Sequence, residues 1–387
     1  MKNDPLRASD LRAHNQNIVL SIIYASQSRG ISQSEVVHKT GLKAPTIFRI
    51  FSSLEEDGFI IPIFNEIKED EVVKKGRRPV SYVANKDALY TIGVEFWSSC
   101  LSVAVFNFLG EKIYASAKQL HKDIMADEIT DLIVGCVELL IMKLNIPKSK
   151  ILGLGVAAPG QVDLNKQIIL YYAPIKNMKN YPIVQLLHER LAVDIVLHNN
   201  CSALALGEYR YGGIDHNGSM FTFLIRSGVN GAFVYDDKIY VNSKNQTIET
   251  GHIPISLDGP HCSCGGKGCL QSFIQKLDYG TIKSGNVLFE SFDIMLEKED
   301  PHAIKAIEQA AAYLVIAIRT IMRLFSPQSF LLIACSTVVA DALAREVKKL
   351  LEPDAFESIT PQIFATAYDP FIAPKGASDL VINKFFQ

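Results

Sequence analysis

Cys262, Cys264 and Cys269 fall within eight residues of one another, and His252 precedes the first of them by ten positions. Thiolates and an imidazole are the donors that zinc takes in a tetrahedral four-ligand set. Gly265, Gly266 and Gly268 between the sulfurs leave the chain free to fold round one ion. His261 competes for the fourth position, but it adjoins Cys262, which makes ligation by both neighbours awkward, so the sequence favours His252. Four protein ligands leave no open position for a substrate, so the ion expected here is a structural Zn2+. The other four cysteines, Cys100, Cys136, Cys201 and Cys335, lie in apolar segments and read as small core residues. An odd total of seven cysteines argues for reduced thiols rather than a disulfide framework.

The elements around this loop belong to a chain of 387 residues, 48% hydrophobic and 21% charged, which is an ordinary globular composition with room for two or three domains. The polar start, "MKNDPLRASDLRAHNQ", lacks the apolar core of a secretory signal. The apolar run 311–325 is too short to span a bilayer and carries Arg319 and Arg323. A cytoplasmic protein is expected. Net charge is −2, and residues 1–80 hold 12 Lys and Arg against 10 Asp and Glu, so charge alone names no partner. Its clustering says more: Lys74, Lys75, Arg77 and Arg78 stand within five positions.

Upstream, "NIVLSIIYASQSRG" has the apolar spacing of an amphipathic helix closed by Gly30. "SQSEVVHKTG" places Ser32 and Glu35 at capping-box spacing and ends at Gly41. In "KAPTIFRIFSSLEEDG", Pro45 suits a first helical turn, while Ile47, Ile50, Phe51 and Leu54 share one face. Two short strands around a charged turn follow. Three helices and a β-hairpin predict a winged helix-turn-helix over 1–80. The opposite face of the third helix carries Pro45, Arg49 and Ser52, flanked by Thr46, Phe48 and Ser53, which makes Arg49 the side chain best placed to reach a base edge. Ser32 and Lys43, near helix starts, are candidate phosphate contacts, with Lys74, Lys75, Arg77 and Arg78 supplying cations from the wing. From residue 88 the pattern becomes α/β: three strands with short turns, then alternating helices and strands, and this texture occurs twice. Lobes at 88–200 and 201–387, with a cleft between them, are expected.

The stretch "ETGHIPISLDGPHCSCGGKGCLQ" resembles the E-x-G-H…C-x-C-G-x-x-G-C-x-E signature of the ROK family of sugar kinases, xylose- and glucose-type repressors and uncharacterised reading frames. The resemblance runs the whole chain, since the family's repressors carry a winged helix before the kinase-like part. It implies an actin-like, ribonuclease H-like body of two lobes, zinc on His252 and the three cysteines, and a sugar pocket. On this chain the family's sugar-contact positions fall on Gly160 of the "APG" turn, Asn199, Asn200, Glu249, His252 and Gln271. Asn200 stands where the kinases have the aspartate that acts as catalytic base, and an amide cannot take up the hydroxyl proton. Gln271 replaces a glutamate. The phosphate-handling turns are altered too: "GVEFWSSC" puts Glu95, Phe96, Trp97 and Ser98 where glycines are expected, "RSGVNGA" introduces Arg226 and Asn230, and Ala334 and Cys335 replace a glycine pair.

The expectation is therefore a sequence-specific DNA-binding regulator of carbohydrate use, most simply a repressor, that senses a sugar without phosphorylating it and acts as a homo-oligomer. Two alternatives stay open at this point: an active sugar kinase fused to a DNA-binding head, and a regulator whose effector is another protein.

Overall fold

The protein is described from a computed structural model, over residues 8–63, 80–226, 228–275, 287–351 and 361–387. The wing cations Lys74, Lys75, Arg77 and Arg78 lie outside the described residues.

The head opens with helix α1 (Ala8–Tyr24), strand β1 (Ile31–Ser32), α2 (Gln33–Thr40), α3 (Ala44–Glu56), β2 (Ile60–Ile63) and β3 (Ser81–Ala84). The capping box forms as the spacing predicts: the Glu35 amide donates to the Ser32 hydroxyl at 3.3 Å, and the Glu35 carboxylate accepts from the Ser32 amide at 2.8 Å. Gly41 closes α2 in the left-handed conformation, φ 71°. Pro45 sits in the first turn of α3, whose Ile47, Ile50, Phe51 and Leu54 are buried. β3 lies between β1 and β2, antiparallel to both, so the head's sheet closes at Ala84. The expected boundary at residue 80 is corrected accordingly, because the ladder continues past it.

Two five-stranded sheets follow. The first comprises β4 (Tyr90–Trp97), β5 (Cys100–Asn107), β6 (Lys112–Gln119), β7 (Ile151–Ala158) and β11 (Ile195–Asn199). Between them stand α4 (Ala126–Lys143), the small antiparallel strands β8 (Gln161–Asp163), β9 (Ile168–Tyr171) and β10 (Lys179–Tyr181), and α5 (Ile183–Leu191). After α6 (Asn200–Tyr211), the second sheet takes β12 (Ser219–Ile225), β13 (Val229–Tyr235), β14 (Lys238–Ile239), β15 (Ser329–Ala334) and β16 (Gln362–Ala367). Its helices are α7 (Leu270–Ile274), α8 (Val287–Glu297), α9 (Pro301–Phe325) and α10 (Thr337–Leu350), before the terminal α11 (Ile372–Phe386). The orders β11-β7-β4-β5-β6 and β14-β13-β12-β15-β16 are one topology used twice: an antiparallel meander whose first strand then pairs in parallel with a later strand. This duplication is the two-lobed actin-like body that the sequence leads one to expect.

β4, β5, β7, β12, β13 and β15 are buried nearly throughout, as strands covered on both sides must be, whereas the edge strand β6 is largely exposed. Leu154, Val156 and Leu197 lie in the first lobe's core, while Phe221, Phe223 and Phe330 fill the second with the inner face of α9. α11 crosses back to the first lobe and packs on α6, β4 and β7. Glycine permits this approach: a Cβ at Gly93 would fall 1.9 Å from the Pro374 carbonyl oxygen, and one at Gly155 would fall 2.1 Å from that of Ala377. The expected span 201–387 for the second lobe is thus corrected, since the last helix completes the first.

α11 also reaches the head. Its Ile382 shares a core with Val19, Ile23, Phe51 and Phe108, against which Phe385 and Phe386 pack. Among the described residues no helix is long and apolar enough to cross a membrane.

Candidate functional site

β11 ends at Asn199 and α6 begins at Asn200, so both amides sit at the C-terminal edge of a parallel strand, where loops and helix starts converge. Asn199 is 1% exposed. Its Oδ1 caps α6, accepting from the amides of Cys201 at 2.9 Å and Ser202 at 3.2 Å. Its Nδ2 donates to the Gly160 carbonyl at 2.8 Å. Two of the expected sugar contacts are thereby joined to each other, and Asn199 keeps one N–H for a ligand. Gly160 turns at φ 71°, and a Cβ there would lie 2.3 Å from the Tyr171 carbonyl oxygen, so no larger residue fits the turn.

Asn200 points elsewhere. Its Nδ2 donates to Glu95 Oε1 at 3.3 Å and its Oδ1 accepts from the Cys201 amide at 2.9 Å. Glu95, 1% exposed, faces Arg226 Nη2 across 3.6 Å, and the Tyr368 hydroxyl donates to its Oε2 at 2.5 Å. The Arg226 guanidinium is stacked between two rings, 4.5 Å from the centroid of Trp97 and 4.4 Å from that of Tyr368. Burial pushes the Glu95 carboxyl up, and the Arg226 charge with the bonds from Tyr368 and Asn200 works against that. The two turns that sequence reasoning treated as degraded phosphate loops therefore meet, through Glu95 and Arg226, in a buried bridge between the lobes. Sequence reasoning missed Tyr368; a lone tyrosine after a strand carries no signal in one dimension.

The remaining expected contacts come from the second lobe. Glu249 precedes a short 3-10 turn, Thr250–His252, and its backbone carbonyl accepts from the His252 amide at 3.0 Å. Its Oε1 is buried with no hydrogen-bond partner among the described residues, and burial holds the carboxyl up at about 7. Gln271, at the start of α7, has its Oε1 beside Gly228 and Gly251: Cβ atoms built there would lie 3.1 and 3.2 Å from it. That packs the glutamine under the turn between β12 and β13.

Past Glu249, the metal candidates converge. One donor atom from each of His252, Cys262, Cys264 and Cys269 lies within 4.8 Å of all the others, with Cys262 Sγ 3.3 Å from His252 Nδ1 and Cys264 Sγ 3.7 Å from Cys269 Sγ. The chain brings His252 into the set, as its spacing predicts, and leaves His261 out. Left-handed turns at Gly265 (φ 90°) and Gly268 (φ 70°) bend the loop round the sulfurs. Burial holds the His252 imidazole below its usual range, which favours the neutral form a metal takes. The donor set suits a metal ion.

On the head, Lys43, Pro45 and Arg49 are exposed and Thr46 and Ser52 are half-buried on the outward side of α3. Ser32 is corrected: it is 6% exposed and its hydroxyl donates to Glu35 Oε2 at 2.8 Å, so the capping role consumes the group expected to reach a phosphate.

With this geometry in hand, known proteins provide the context. The chain is 24% identical over 381 residues to the xylose repressor of Bacillus spizizenii, covering 96% of each. It is 20% identical over 341 residues to the DNA-binding transcriptional dual regulator NagC of Escherichia coli K12, covering 85% of this chain and 82% of that one. A ROK family transcriptional regulator described as a homologue of the E. coli MLC protein superposes with a TM-score of 0.75 at 19% identity, over 97% of both chains. A ROK family glucokinase from Streptomyces griseus, solved with glucose and AMPPNP, superposes with a TM-score of 0.63 at 20% identity, over 76% of this chain and 99% of that one. The glucokinase thus matches over a shorter part of this chain than the regulator does. Residues 91–383 match the ROK family profile, and the chain belongs to the ROK family.

Proposed function

We propose that this protein is a sugar-responsive DNA-binding transcriptional repressor of carbohydrate use, active in the cytoplasm as a homo-oligomer and without phosphoryl-transfer activity. One observation carries the reading: the likeness to a xylose repressor extends over 96% of both chains, head included. A sugar or sugar derivative enters the cleft and meets Gly160, Asn199, Asn200, Glu249, His252 and Gln271. Amide, carboxylate and imidazole groups suit its hydroxyls. Pro45, Thr46, Arg49 and Ser52 of α3 take the major groove, and Lys43 at its N-cap, with Lys74, Lys75, Arg77 and Arg78, takes the phosphate backbone. Zn2+ on His252, Cys262, Cys264 and Cys269 supplies a cross-link that orders the loop between Glu249 and α7. Exposed Ile316 and Leu324 on α9, with Tyr235, are apolar surface for self-association of the second lobe.

Asn200 offers no carboxylate to take up a hydroxyl proton, and the Glu95 and Arg226 side chains occupy turns where a kinase needs bare backbone amides for phosphate. Anisotropy titration of the full chain against duplex DNA selected from a randomised pool, with D-xylose and N-acetylglucosamine as probes, tests the regulator reading. Binding that is salt-sensitive and sequence-selective supports it, and its absence refutes it. ADP release with a hexose panel tests the second clause: turnover by the unmodified protein would mean that it is a kinase. Acquisition of turnover by Asn200→Asp alone would place the missing base.

A further inference from the structure

Phe48 is 59% exposed on α3, yet it stands among residues of the face proposed to enter DNA. Pro45, Phe48, Arg49 and Ser52 follow i, i+3, i+4, i+7 spacing and so share one stripe of the helix. Burying a phenylalanine is worth about 1.5–3 kcal/mol, and leaving one in water beside an arginine forgoes that gain. Lys43 at the N-cap of α3 and Arg49 beside Phe48 in the chain are exposed and positively charged, which selects a polyanion as the surface that covers this face. In the major groove the apolar feature on a base edge is the thymine C5-methyl group. We infer that Phe48 is a specificity residue that packs on a thymine methyl in each half-site, next to the base read by Arg49.

This inference rests on the DNA-binding reading, and its test separates the two. A duplex selected by the full chain from a randomised pool is resynthesised with deoxyuridine replacing each thymidine in turn, which removes one methyl and nothing else. The expected result is a thymine whose replacement weakens binding about fourfold, while Phe48→Ala binds both duplexes equally. A selected duplex indifferent to every replacement, or a Phe48→Ala protein that keeps the discrimination, overturns the role of Phe48 and leaves DNA binding intact. Failure to select any sequence removes the DNA-binding reading itself.

A separate observation carries a second inference. Glu95 and Trp97 come from the first sheet, Arg226 and Tyr368 from the ends of β12 and β16 in the second, and the half-buried Trp97, Arg226 and Tyr368 lock round the buried Glu95 in one cluster that also holds the Asn200 amide. Pulling the lobes apart would break the ion pair and unstack the guanidinium, and a ligand that draws the Asn200 amide into the sugar site lengthens its bond to Glu95. We propose that this cluster is the clasp that sets lobe closure and that Asn200 links it to the sugar site. Trp97 is the chain's only tryptophan, so its fluorescence reports the clasp directly.

In the full-length protein, acrylamide should quench Trp97 weakly, and Glu95→Gln and Arg226→Met should each raise the quenching constant about threefold or more with far-UV circular dichroism unchanged. The two together should do no more than either alone, because they break one bridge. Should a variant fail to fold, the unmodified protein still decides: easy quenching there means that the cleft is open in solution and the clasp is not formed. Unchanged quenching in a folded variant likewise overturns the proposal, with no bearing on DNA binding.

Discussion

Tyr24 on the head's first helix and Phe386 on the last helix of the chain pack with ring centroids 5.1 Å apart. Both meet Phe108, which is fully buried, at 5.2 and 6.1 Å. The head is therefore welded to the body rather than tethered to it. Phe108 also touches Phe59 and Phe385, so one ring supports both sides of the joint. Phe108→Ala is expected to destabilise the protein by about 3–5 kcal/mol, since the cavity cannot collapse without parting head and body. Chemical denaturation with separate probes on head and lobes checks this: the head should melt first in the variant. Coincident melting with an unchanged midpoint would mean that the joint bears no load.

Arg49→Ala is expected to cost about 1–3 kcal/mol in binding to a selected duplex and to relax preference at one base position. Lys43→Ala should weaken all sequences alike and reduce the salt slope by about one. Anisotropy across a salt series reads both, and interchange of the two signatures would reverse the assigned roles.

The proposed zinc has a direct assay. One metal per chain is expected on acid release, and Cys264→Ser should lower both the content and the thermal midpoint. Binding to such a set is worth on the order of 10 kcal/mol at pH 7, so chelation should expose the loop to protease. A protein purified with no metal, and indifferent to zinc, would refute the site.

Among the described residues Glu208, buried in α6, has no opposite charge beside it, and burial followed by the Asp369 charge holds its carboxyl up at about 7. A folded pKa above the unfolded 4.5 means that the folded chain holds the proton more tightly. The stabilisation that this proton gives is full below pH 4.5 and is lost as pH rises through 7. Glu208→Gln should therefore match the unmodified protein near pH 4.5 and exceed it at pH 8, by up to about 3 kcal/mol before relaxation is allowed for. Melting curves at the two pH values decide; equal differences at both would show that the carboxyl is not strained by burial.

Short-range chemistry was legible without coordinates. The Ser32–Glu35 capping box, the buried stripe of α3, the duplicated meanders and the choice of His252 for the metal set follow from spacing within a few dozen residues. α11 was not legible. Its buried residues include Pro374, Lys375, Gly376, Ser378 and Asp379, small or polar groups with no apolar stripe to give period 3.6. They are buried because Gly93 and Gly155 let the helix backbone in and because Lys375, Asp379 and Arg210 satisfy one another at 2.8 and 3.0 Å.

The same distinction governs the site. Composition alone fixed which side chains were available: amides at 199 and 200, a carboxylate before the metal loop, and altered glycine turns. Which of them face one another depended on the two sheets coming together. Glu95, Arg226 and Tyr368 are separated by more than a hundred residues along the chain, and only burial between the lobes, where a charge cannot stay unpaired, required them to meet.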